Sequence, residues 1–186
     1  DPMALKVPPA RIVFTPEQRR EILARIDEQL QSGQLTLGKY GKEFEAAFAK
    51  FCGRAHAVAV NSGTSSIEIP LRVLDVKGKD VIVPTNTFMA TAFGVWHAGG
   101  EARFADMDAA TAGLSVKTIE KALTPKTVGV VPVHIGGTVS PEMPAIVDFC
   151  KRKGLWLFED AAHAHGSTLN GKHAGTFGSP PPSPST

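Results

Sequence analysis

The sequence predicts an α/β fold: a mostly parallel sheet flanked by helices. Three observations carry this. From His56 to Glu159, short apolar runs alternate with segments of helical period. Their spacing is that of successive strand–helix–strand units, which build parallel sheets. Helix stops recur on schedule, with Gly33, Gly53, Gly99-Gly100 and Gly154 closing four of the helical segments.

The first helix opens at Thr15, where Pro16 suits the first helical position and Gln18 completes a capping box. Ile22, Ile26 and Leu30 fall on one face, and Gly33 is the stop. A second helix runs from Gly41 to Cys52 with Phe44, Phe48 and Phe51 as its apolar stripe, a pattern of core or subunit interface. Next come a strand over His56–Val60 and a helix over Thr64–Asp75. Pro70 lies inside that helix, where it should kink or shorten it. The series continues with strand Asp80–Pro84, helix Phe88–His97, strand Ala102–Met107 and helix Ser115–Leu123. It ends with strand Thr127–Val133, helix Pro141–Lys153 and strand Leu155–Glu159. Asn170-Gly171 between Gly166–Leu169 and Lys172–Ala174 signals a hairpin. Residues 179–186 hold four prolines in eight positions and read as an extended or disordered tail. The expected organisation is one incomplete cofactor-binding domain over residues 1–178, then that tail.

The 186 residues are 42% hydrophobic and 20% charged, as in an ordinary globular protein. A net charge of +2 gives no electrostatic case for nucleic acid or a membrane surface. Asp1 to Val13 lacks an apolar stretch of signal-peptide type, and the longest apolar run, Val128–Val133, is too short to span a bilayer. Cys52 and Cys150 have no metal or redox spacing and read as small core residues of a reducing, cytoplasmic protein.

Three segments at strand-to-helix junctions could carry chemistry. Asn61-Ser-Gly-Thr-Ser-Ser66 offers free N–H groups and hydroxyls at a helix N-terminus, suited to phosphate or simply to capping. Neither a Walker lysine nor a G-x-G-x-x-G accompanies it, so nucleotide binding has no support. Pro84-Thr-Asn-Thr-Phe88 puts an aromatic where ligands sit in open α/β sheets, although Phe88 also suits a buried first helical residue. Glu159-Asp-Ala-Ala-His-Ala-His-Gly166 ends a buried strand in carboxylates, which need partners. A protonated pyridine nitrogen would partner Asp160 and act as an electron sink, with His163 beside the ring. Two other readings stand: Asp160 as a helix cap, or a divalent ion on Asp160, His163, His165 and His134. A phosphate cradle, an aromatic platform and an acidic partner on one sheet are together what a phosphorylated pyridine cofactor requires.

With these residues in view, the chain resembles the DegT/StrS family of sugar aminotransferases, of the aspartate-aminotransferase fold. The likeness spans about Ile12 to Gly178. It rests on Gly33-Gln-Leu-Thr-Leu-Gly38, Phe44-Glu45, Asn61–Ser65, Val81–Phe88, Ala90-Thr-Ala92, Phe104–Asp108, Val131–Gly136 and Glu159–Gly166. The resemblance implies pyridoxal 5′-phosphate (PLP) as cofactor. Thr64 and Ser65 would bind its phosphate, with Gly63 allowing close approach. Phe88 would stack on the ring, Asp160 would pair with its nitrogen, and His163 would stand where the family often has glutamine. His134 would line the sugar side. The family moves an amino group from glutamate or glutamine onto a nucleotide-linked keto-sugar or related cyclic ketone, and its members are typically homodimers.

One departure bears on activity. The lysine that carries the cofactor in the family follows the hairpin and a buried strand, whereas here the proline-rich segment follows Gly178. Lys172, beside the hairpin turn, is not assigned that role. The expectation is therefore a fragment without turnover of its own. The alternatives are a dehydratase of the same family, a non-catalytic fragment and a metal-dependent hydrolase.

Overall fold

Every strand of the main sheet is parallel, as the alternating pattern requires. The computed structural model describes residues 11–179. They fall into two compact units, divided between Glu43 and Phe44.

The first unit holds α1 (Pro16–Ser32) and the start of α2 (Lys39–Phe51). Thr15 caps α1 with both bonds of the capping box, and Gly33 closes it in the left-handed conformation. Glu28 accepts from both Lys39 and Tyr40. The apolar stripe of α1 stays exposed; none of its residues is buried.

The second unit carries β1 (Asp80–Pro84), β2 (Glu101–Ala105), β3 (Thr127–Val130) and β4 (Trp156–Leu157), in the order β2-β1-β3-β4. The helices are α3 (Gly63–Val73), α4 (Ala90–His97), α5 (Val116–Ala122) and α6 (Met143–Lys153). Strand alternation divides the core. Ile82, Val130 and Leu157 pack with Ile119 of α5 and with Ile146 and Phe149 of α6. Val81, Val83, Val131 and Trp156 pack with Leu71 of α3 and with Ala92 and Val95 of α4. The expected hairpin is present as β5 (Thr168–Leu169) and β6 (Lys172–His173), with Asn170 and Gly171 both at positive φ.

Four sequence expectations are corrected. His56–Val60 forms no strand: Val58 is 80% exposed, and the Ala59 N–H goes to the Glu45 side chain instead of a ladder. Ladder pairing of β3 stops at Val130, close to Pro132, which has no N–H to give; contact with the neighbouring strand resumes only as a bridge between Val133 and Asp160. Phe88 precedes α4 and is not part of it. Ser179, read as the start of a loose tail, exchanges two backbone hydrogen bonds with Leu157. Residues 180–186 of that expected tail, and residues 1–10, lie outside the described residues. Pro70 does sit inside α3, which ends at Val73, within one turn of it.

Candidate functional site

Phe88 and Asp160 follow the carboxyl ends of β1 and β4, where each chain segment must leave the sheet and bare its polar groups. The first turn of α3 is the third element, and it follows a segment that forms no strand. Ser62 caps the helix: its Oγ accepts the Ser65 N–H at 3.1 Å and donates to the Ser65 Oγ at 3.0 Å. The Ser65 hydroxyl therefore keeps its own hydrogen for another acceptor. The Ser66 N–H goes to the Ser62 carbonyl, which leaves the Gly63 and Thr64 N–H groups at the positive end of the helix dipole. A Cβ added at Gly63 would meet nothing within 4 Å, so the space in front of the turn is open. This donor set fits a phosphate.

Phe88 follows β1 and stands 76% exposed, free to present a ring face. Three residues on, Thr91 begins the buried side of α4. Its Oγ1 donates to Asp160 Oδ2 at 2.8 Å, and Asp160 Oδ1 accepts the Ala162 N–H at 3.2 Å. The Asp160 backbone is fixed too: its N–H reaches the Pro132 carbonyl at 2.9 Å, and its carbonyl accepts from the His134 N–H at 3.1 Å. Asp160 is only partly buried and lines a cavity. That cavity, of about 380 Å³, is also lined by Ala162 and Ser66, whereas Gly63, Thr64, Ser65, Phe88 and His163 are not among its lining residues.

His163 accepts the Gly136 N–H on Nδ1 at 3.2 Å, so in the neutral ring the hydrogen resides on Nε2. His134 is placed differently from expectation. Its ring is not on an open wall: Nε2 lies 2.9 Å from Glu159 Oε2, and the two side chains are 1% and 2% exposed. Glu159 also accepts the N–H groups of Gly175 and Gly178. The Lys172 ammonium lies over the Phe177 ring, 4.5 Å from its centre.

The metal arrangement has no geometric support. The His134 ring is committed to Glu159, His163 to Gly136, and His165 stands edge-on to Phe48. Among the described residues no three His, Cys, Asp or Glu side chains are grouped to hold a metal. Among the same residues no helix is long and apolar enough to cross a membrane.

Thr91 and Glu159 are the participants that sequence reasoning did not single out. The signal for Thr91 was a hydroxyl on the buried face of a helix just after the aromatic. For Glu159 it was strand alternation, which turns adjacent carboxylates to opposite sides.

A family model for the DegT/DnrJ/EryC1/StrS aminotransferase family matches residues 16–180. The chain belongs to that family. Among curated proteins, this DegT-family chain is 39% identical over 161 residues to the UDP-N-acetyl-3-dehydro-alpha-D-glucosamine 3-aminotransferase of Acidithiobacillus ferrooxidans, covering 86% of the chain and 43% of that protein. It is also 39% identical over 160 residues to the spore coat polysaccharide biosynthesis protein SpsC of Bacillus subtilis, covering 86% of the chain and 41% of SpsC. The chain thus spans about two fifths of the length of these relatives. Among solved structures it matches S. venezuelae DesV with a TM-score of 0.76 at 38% identity, over 81% of this chain and 40% of that one. It matches a GDP-4-keto-6-deoxymannose-3-dehydratase with a TM-score of 0.81 at 28% identity, over 92% and 45%. The α/β fold of PLP-transferase type expected from the sequence is the fold observed.

Proposed function

We propose that this chain forms the cofactor-binding wall of a PLP-dependent aminotransferase. Its substrate class is a nucleotide-linked keto-sugar or related cyclic ketone, and glutamate or glutamine donates the amino group. The observation that carries this is Asp160: a partly buried carboxylate at a strand end, held on both oxygens and lining a cavity.

The residues fit the cofactor. Gly63, Thr64 and Ser65 would hold its phosphate through two free N–H groups and a free hydroxyl hydrogen. Phe88 would cover one ring face. Asp160 would hold the proton on the ring nitrogen, and the Nε2–H of His163 would donate to the ring or its hydroxyl. When bound, the cofactor supplies an electron sink for the carbon that loses its proton. The chain's own task is to orient the ring and keep its nitrogen protonated.

The sugar class is supported by the relatives, which include an aminotransferase named for a UDP-linked dehydro-sugar and a protein named GDP-perosamine synthase. The 39% identity to a protein named as an aminotransferase supports amino transfer, and the structural likeness to a dehydratase at 28% identity keeps dehydration as the second reading. A homodimer in the cytoplasm completes the reading. The uncovered apolar face of α1 supports the first part, and the free thiols of Cys52 and Cys150, which suit a reducing compartment, support the second.

The test is to incubate the full-length protein with PLP, L-glutamate and UDP- or GDP-linked keto-sugars and follow amino-sugar by mass spectrometry. Amine formation dependent on glutamate and PLP supports the reading. Dehydration of the sugar with no retained nitrogen supports the dehydratase and overturns it.

A further inference from the structure

A threonine in a helix ordinarily satisfies its hydroxyl on a carbonyl of the preceding turn. Thr91, fully buried, does not: it reaches 69 residues along the chain to Asp160. Its Oγ1 also lies 2.8 Å from the Thr87 Oγ1. A hydroxyl has one hydrogen, and an ionised carboxylate can only accept. The Thr91 hydrogen is therefore on Asp160, and the second contact can carry only the hydrogen of Thr87, which has the Phe88 carbonyl at 3.3 Å as a second, longer acceptor. The relay has one direction, Thr87 to Thr91 to Asp160.

It joins two parts of the site. Thr87 adjoins Phe88 in the loop after β1, and Asp160 ends the segment after β4. We propose that Thr91 is a positioning residue that sets the rotation of the Asp160 carboxylate, with Thr87 holding the Thr91 hydroxyl in its donating orientation. The relay thereby ties the aromatic platform to the acid that faces the ring nitrogen. Ala162 anchors the other oxygen, so loss of the Thr91 hydroxyl frees the carboxylate to turn about that single remaining bond. The inference rests on the cofactor reading above.

The test uses the full-length protein and its variants Thr91→Val, Thr91→Ser and Thr87→Val. Three quantities are read: PLP affinity by absorbance titration, the pH dependence of the bound cofactor's absorbance, and thermal unfolding of the cofactor-free protein. Thr91→Val keeps the shape and removes the donor. It is expected to bind PLP about tenfold more weakly, the scale of one hydrogen bond to a charged acceptor, and to shift the pH dependence. Thr91→Ser is expected to restore both, and Thr87→Val to shift the pH dependence in the same direction by less. A Thr91→Val protein that matches wild type in both cofactor readouts overturns the proposal. So does a change that follows apo stability alone and is not restored by serine. If Thr91→Val does not fold, Thr87→Val decides: a pH dependence identical to wild type overturns the relay. A wild-type protein that binds no PLP sinks the cofactor reading itself, whereas normal wild-type binding with unaffected variants sinks only the relay.

Discussion

His134 Nε2 and Glu159 Oε2 meet at 2.9 Å in a buried pair, one residue from the Asp160 carboxylate. Glu159 spends its other bonds on the N–H groups of Gly175 and Gly178, so one carboxylate ties the segment after β4 to both the end of the β3 segment and the chain after the hairpin. Glutamine has one oxygen for three donors, and its NH2 would confront an N–H. Glu159→Gln is expected to destabilise the protein by about 3 kcal/mol. Urea unfolding of Glu159→Gln, His134→Ala and the double variant checks this, with a coupling above ~1 kcal/mol expected.

Gly129 in β3 lies against the Trp156 indole. A Cβ there would stand 2.1 Å from the Trp156 Cδ2, with β-sheet backbone on both sides and no room to yield. Gly129→Ala is expected to cost about 3 kcal/mol or more through overpacking. The double variant with Trp156→Ala should lose less than the sum of the singles, as measured by denaturant midpoints.

Asp80 is buried at the start of β1. Burial pushes its carboxyl up, but the Thr124 hydroxyl and the Arg103 guanidinium outweigh this and hold it below the ordinary carboxylate range. A carboxyl lowered on folding contributes stability that is complete above its unfolded value, about 3.9, and is lost as pH falls through the folded one. Wild type should therefore lose stability below about pH 4. Asp80→Asn should be weaker at neutral pH and flatter in acid, as read from urea midpoints across pH.

Cys150 is buried on the inner face of α6, and burial pushes its thiol up to about 11. Cys52 is partly accessible. A thiol reagent at mildly alkaline pH should label one cysteine per folded chain promptly and the second only on unfolding. Two promptly reacting thiols would contradict this packing.

The parallel sheet was legible because Val81, Ile82 and Val83 form a continuous apolar run between turn residues, the mark of a strand buried on both faces. The caps at Thr15 and Gly154 and the Asn170-Gly171 turn were legible because they are local chemistry. His56–Val60 misled because its apolar residues have strand character but no ladder partner among the described residues, and pairing is not a local property. His134 misled for a related reason. A histidine after a strand reads equally well as a ligand-facing group or a buried partner. The Glu159 oxygen that decides between them is 25 residues away. The Thr91–Asp160 bond was beyond sequence reasoning for the same cause.

The most direct test is the binding of PLP, comparing wild type with Asp160→Asn by absorbance titration at neutral pH. Expected is saturable binding by wild type and binding at least ~10-fold weaker in Asp160→Asn, the scale of losing one charge-assisted hydrogen bond. Equal affinity in the two proteins would contradict the assignment of Asp160 as the partner of the ring nitrogen.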